Sequence, residues 1–368
     1  MKRVAIGLIL LAAPVATARA QGGLLLQGLI DLEGWATDSN SNLLTRNFGR
    51  PGALVRAQLW GAIEPIRGVF LYAQGEIEGG NARQFGDRYT EKEIDQVGLR
   101  WVHSPSFVLN AGKLLYPVGT FASRVFSTRN PLIGVPDGYS AVYPIGLMAS
   151  GERRHFDYRA GVVSLPLAHE GYQPTPDPAP RPVVGLGFTP FTGLRFGVSG
   201  GSGPYLNKSF TSAQLGGKNW RSYHQDLLAG DIEYGIEHAD LRAEFAVVRY
   251  GIPNATKKST GQTGYLEGRY TVTPRLFVAA RAELNYYPFI RPIGPTAWTA
   301  RRTDFRDWET GIGFRVNESL LVKAGYRGDD WTITPSNAAF IRPGGKAVAM
   351  QISQSFDVVD LVTRGRSY

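Results

Sequence analysis

The chain has no cysteine among its 368 residues, which removes disulfides and thiolate metal sites from consideration. Its five histidines (His103, His155, His169, His224 and His238) are scattered. No H-x-x-H, G-x-S-x-G or phosphate-loop pattern occurs, so neither a catalytic group nor a metal or cofactor site is expected. Beyond residue 20 there is no run of 18 apolar residues, which excludes helical membrane spans. Lysine and arginine form no block, and nucleic acid is not an expected partner.

What is present is glycine (45 residues) and aromatics (18 Phe, 17 Tyr, 7 Trp), a composition that without helical periodicity indicates β structure. The first twenty residues stand apart. Lys2 and Arg3 precede an apolar run from Val4 to Val15, and Ala18-Arg19-Ala20 supplies a small-residue cleavage site. Residues 1–20 therefore read as a signal peptide, with the exported chain starting at Gln21. Losing Lys2, Arg3 and Arg19 lowers the formal net charge from +9 to +6.

From there, apolar residues recur at every second position in segment after segment. In 53–64, Val55, Ala57, Leu59, Gly61 and Ile63 alternate with Arg56, Gln58, Trp60 and Glu64, the signature of a strand with one oily and one wet face. Sixteen such segments are predicted, at 24–36, 53–64, 69–78, 94–102, 107–115, 145–151, 156–164, 183–189, 194–200, 224–236, 241–250, 263–272, 276–287, 305–316, 320–328 and 346–356. Long polar connections alternate with tight turns such as Pro65-Ile66-Arg67-Gly68. A soluble sandwich has no reason to keep its long connections on one side. A β-propeller needs four short strands per period, and here there are two of about ten residues, the length that crosses a bilayer obliquely. Backbone groups in lipid must pair internally, so the sheet must close. The fold class expected is all-β, a transmembrane antiparallel β-barrel of about sixteen strands over 21–356, with a tail at 357–368. Lipid is the partner of its oily face. Trp101, Phe107, Phe188, Phe191 and Trp308, with Tyr116, Tyr286, Tyr287 and Tyr326 toward the loop rim, are expected in interfacial girdles.

The longest connection, 116–144, is too long to be idle in a compact domain, and is expected to fold into the barrel mouth and narrow it. The preceding strand ends Ala111-Gly112-Lys113-Leu114-Leu115-Tyr116-Pro117-Val118-Gly119. This stretch resembles the Gly-basic-x-x-x-Pro-Phe-Gly element of the phosphate-selective porin O and P family, with Val118 in place of the aromatic. The sixteen-strand plan over the whole exported chain is likewise similar to bacterial porins, and Lys346–Phe356 resembles a terminal strand read by the barrel-assembly machinery. The resemblance implies an outer-membrane homotrimer passing small hydrophilic solutes by diffusion.

In such a channel the field across the narrowest point decides what passes. Lys113, Arg124 and Arg129 against Asp137 are the expected constriction charges, a small positive excess that favours anions weakly. Asp31, Glu33, Arg56, Glu76, Arg100, Arg242, Arg269, Arg281 and Arg315 are expected on the wet wall. The alternatives are a barrel hydrolase, for which the turn-side positions of His103, His155 and His238 are wrong, and an adhesive barrel.

Overall fold

In the computed structural model, residues 23–38, 50–82, 88–136, 143–166, 176–332 and 344–358 are described. The predicted signal peptide, Asp137 and all but the first two residues of the predicted tail lie outside these. Sixteen strands are present. The first eight are β1 (Leu25–Thr37), β2 (Gly52–Ile66), β3 (Val69–Gly80), β4 (Tyr89–Ser104), β5 (Phe107–Lys113), β6 (Ile145–Arg153), β7 (Phe156–Val163) and β8 (Arg181–Phe191). The second eight are β9 (Leu194–Pro204), β10 (His224–Ile236), β11 (Ala239–Tyr250), β12 (Ser259–Thr271), β13 (Leu276–Pro292), β14 (Trp298–Arg315), β15 (Leu320–Trp331) and β16 (Gly344–Asp357). Each pairs antiparallel with its sequence neighbours, and β1 pairs with β16, so the sheet is a closed barrel without a free edge. Closure runs from Gln27 opposite Asp357 to Thr37 opposite Ala347. The ring of Phe356 lies 2.3 Å from where a Cβ on Gly28 would sit, so any larger residue at this point of the barrel seam would have to displace that ring.

The two-residue rhythm sorts the side chains as an inside-out protein. Leu228 (63% exposed), Leu266, Val184 and Met350 project outward, while Asp31, Arg281 and Lys323 are at most 2% exposed. A midplane Lys or Arg turned to lipid would cost about 2–4 kcal/mol, so in strands with central charges, such as β2, β13 and β15, those charges set the phase. At the short-turn rim Trp101 packs edge-on against Phe107, and the Phe156 and Phe188 rings lie 5.0 Å apart with planes inclined at 31°. Trp308 and Tyr326 pair on the outer wall. Tyr116 and Tyr287 leave the expected girdle. Tyr287 is buried, and Tyr116 packs on the apolar cluster inside the mouth.

That cluster was not anticipated. Residues 201–223 read as a Gly/Ser/Lys loop, yet β9 continues to Pro204 and the connection after it folds back. Tyr205, Leu206, Leu215 and Tyr223 are buried against Val163, Val183, Leu227, Val248 and Tyr250, together with Leu114 and Val118. Arg181 knits these connections. Its guanidinium is buried and donates to the carbonyls of Pro204 (2.6 Å), Ala179 (2.8 Å), Ser164 and Asp177. Asn254 (φ 59°) links the next loops, donating to the carbonyls of Ala213, Gln214 and Thr296. Buried backbone carbonyls need donors, and one polar side chain per junction supplies several.

Candidate functional site

In the connection between β5 and β6, residues 119–134 bond to inward-facing side chains of the barrel wall. Its stem is fixed by Leu114 N–H donating to the Pro144 carbonyl (2.8 Å). The chain then crosses to the wall opposite its origin. The Gly119 N–H reaches the Ser199 hydroxyl on β9 (3.2 Å), and both the N–H and the hydroxyl of Thr120 donate to Glu244 on β11 (3.0 and 2.9 Å). A 3-10 turn, Phe121–Arg124, follows. Arg124 donates to Glu267 (2.6 Å) and to the Tyr265 hydroxyl (2.9 Å), both on β12, and Tyr265 in turn donates to Glu244 (2.7 Å). Burial is the largest single influence on Arg124 and disfavours its charge, but Glu267, Tyr265 and Glu244 together outweigh it and hold the guanidinium protonated more firmly than usual. Phe121 packs edge-on against Tyr265.

The second half of the loop is gripped from both sides of the β1–β16 seam. Ser127 donates to Asp31 on β1 (2.6 Å). The Lys323 ammonium on β15 donates to the carbonyls of Ser127, Asn130 and Leu132 (2.9, 3.1 and 2.8 Å). Glu309 on β14 accepts the N–H groups of Ile133 and Gly134 (2.9 and 3.0 Å), and Arg281 on β13 donates to the Gly134 carbonyl (2.9 Å). Arg281 also bridges Glu267, Glu283 and Glu309 (3.3, 2.8 and 3.1 Å) with its side chain fully buried. A loop without regular structure carries unpaired peptide groups, and charged wall residues satisfy them here. Charge-assisted bonds of this kind are about twice as strong as neutral ones.

Of the expected constriction residues, Arg124 and Arg129 are on this loop, with opposite surroundings. Arg124 is buried on the wall, whereas Arg129 is exposed and, among the described residues, donates only to the Ser123 carbonyl of its own loop (3.2 Å), its guanidinium 5.9 Å from the Phe126 ring. Lys113 departs from the expectation. It closes β5, and its ammonium is taken by Glu93 (3.0 Å) and the Ile94 carbonyl (2.5 Å) of β4, at the stem of the connection, 5.9 Å from the Tyr143 ring. Asp137 lies outside the described residues.

Three expected wall charges are not exposed to the lumen. Asp31, Glu33 and Arg281 are buried at 1%, 6% and 2%. Asp31 and Arg281 hold the loop, and Glu33 accepts from Gln351 (2.7 Å) and Trp35 (3.1 Å). They are anchors because a wall charge under a docked loop finds partners there. Arg56 donates to Glu78 (2.6 Å) and lies near Glu76 (3.3 Å), Glu33 (3.6 Å) and Asp31 (3.8 Å), so this arginine is fully engaged by acids. Arg242 lies 3.7 Å from Glu233. Among the described residues Arg100, Arg269 and Arg315 meet no carboxylate at ion-pair distance, and Arg269 lies over the Phe277 ring (4.6 Å). All three arise within a few residues of the short turns, as do Arg159 and Arg195, on the same rim of the lumen.

Lys323, Glu244, Glu267, Tyr265 and Ser127 were missed as loop anchors. One signal was present in the sequence, the near-repeat Phe121-Ala122-Ser123-Arg124 and Phe126-Ser127-Thr128-Arg129. Among the described residues no group of three or more His, Asp or Glu is placed to hold a metal.

No protein-family model matches the chain, and no curated protein sequence matches it. Solved structures do. The anion-selective porin from Comamonas acidovorans is 11% identical, with a TM-score of 0.60, over 91% of this chain and all of that one. Salmonella typhi OmpF, solved in complex with daunomycin, is 13% identical with a TM-score of 0.60, over 90% and 97%. Outer-membrane expressed OmpT of Vibrio cholerae is 14% identical with a TM-score of 0.58, over 92% and 98%. At such identities the likeness is one of fold.

Proposed function

We propose that this chain is a porin of the bacterial outer membrane, a water-filled channel through which small hydrophilic solutes diffuse, with a preference for anions. The observation that carries the reading is the inward loop of residues 114–136, bound across the barrel to strands on the far wall, as a constriction must be to hold a fixed aperture. Anion preference is supported by the charges left over once the wall has paired. Among the described residues, Arg129 on the loop and Arg100, Arg269 and Arg315 near the short-turn rim are cations without a carboxylate at ion-pair distance, while the acids Asp31, Glu267, Glu283 and Glu309 are buried. A positive lumen raises the local concentration of anions.

A homotrimer is part of this proposal; one of the matched Vibrio cholerae OmpT structures is titled as the trimer form. So are embedding in outer-membrane lipid and recognition of β16 by the barrel-assembly machinery. Kinship with the phosphate-selective porins rests on the Ala111–Gly119 stretch alone, and phosphate is accordingly one of the anions to try. The test is single-channel conductance in a planar bilayer. Folded protein should form open channels with a reversal potential on the anion side, and deletion of 120–136 should raise conductance by a factor of about two or more. Folded protein that conducts nothing would overturn the reading. An unchanged conductance in the deletion would remove the constriction.

A further inference from the structure

The exposed half of the loop carries more than a charge. Phe126 faces Trp60 of β2, with ring centroids 5.6 Å apart and planes inclined at 42°. At that inclination neither ring covers the other's face. The Trp60 indole is fixed by donating its N–H to Gln27 (3.0 Å). Arg129 lies against Phe126 and, among the described residues, has no carboxylate at ion-pair distance. The neighbouring wall acids are engaged: Asp31 by Ser127, and Glu76 by Gln58 and Arg56. Two aromatic rings and an uncommitted planar cation thus meet at the lumen-facing edge of the loop.

We propose that this edge is a recognition site for aromatic carboxylates, the guanidinium of Arg129 taking the carboxylate through its paired N–H groups and the Phe126–Trp60 rings taking the solute's ring. Guanidinium matches a carboxylate edge-on, and ring–ring or ring–cation contact adds an increment that a saturated ring of the same size does not supply. The inference rests on the channel reading and narrows its solute class.

Benzoate and cyclohexanecarboxylate separate the two contributions, since they match in charge and nearly in size. In a planar bilayer with KCl as the carrier, benzoate should half-block the current at a concentration about two- to fivefold lower than cyclohexanecarboxylate. Phe126→Leu and, separately, Trp60→Leu should erase that ratio while leaving the chloride preference intact. Arg129→Gln should weaken block by both acids. Equal block by the two acids in the unaltered channel overturns the inference, as does a ratio that survives both aromatic substitutions. Failure to carry KCl current at all would instead strike the channel reading, so the two failures are distinguishable.

Discussion

Residues 121–124 and 126–129 have nearly the same sequence, Phe-Ala-Ser-Arg and Phe-Ser-Thr-Arg. In both, the arginine lies over its own phenylalanine, at 5.1 and 5.9 Å. Their fates differ because of what the barrel places beneath them. Under the first, β11 and β12 present Glu244, Glu267 and Tyr265, and Arg124 is drawn into a buried ion pair. Under the second, β1 takes Ser127 through Asp31, and the Phe126 ring meets Trp60 instead of an acid. Among the described residues Arg129 then meets only the Ser123 carbonyl and its own phenylalanine ring. The two arginines of the near-repeat differ because the wall supplies a carboxylate to the first and none of the described ones to the second.

Substitutions that remove the difference should show graded effects, read as hydrogen exchange of the loop amides in micelles. Arg124→Leu leaves Glu267 with Arg281 as its remaining partner; losing half of a buried pair costs about 3 kcal/mol, so exchange over 120–134 should accelerate roughly a hundredfold. An unaltered rate would mean that the buried pair does not hold the loop. Lys323→Met abandons three carbonyls and should cost about 2 kcal/mol, seen first at 127–132 and as noisier open-channel current. Tyr265→Phe removes the hydroxyl shared by Arg124 and Glu244, for about 1 kcal/mol; if exchange at Thr120 and Arg124 does not change, the shared hydroxyl is idle. Arg129→Gln should change exchange by less than about 0.5 kcal/mol while moving the reversal potential toward potassium. A large loss of protection there would mean the two motifs are equivalent after all.

The strands were legible because their period is a property of adjacent residues. Even the short predicted strands 145–151 and 183–189 are present, as Ile145–Arg153 and Arg181–Phe191. The long connection was legible too, as an irregular stretch set apart by its length between two alternating segments. The partners were not. Lys323 and Ser127 are separated by 196 positions, and Arg124 and Glu267 by 143, so no local pattern links them. Asp31 and Arg281 have the same parity as Arg56 and Arg242, and alternation alone could assign all four only to the inner face. Tyr205, Leu206, Leu215 and Tyr223 were hidden among the polar residues of 201–223, with no period to reveal them.

By itself the sequence determined that the sheet closes, how many times the chain crosses, and which side of each strand meets lipid. Those follow from backbone pairing and from the cost of a charge in hydrocarbon, both of which act on every residue alike. Only the tertiary structure decided which inner charges are consumed in holding the loop and which remain open to solutes. That division depends on distances of a few ångströms between groups far apart in the chain, and such distances exist only once the barrel has brought β1, β12 and β15 around the same loop.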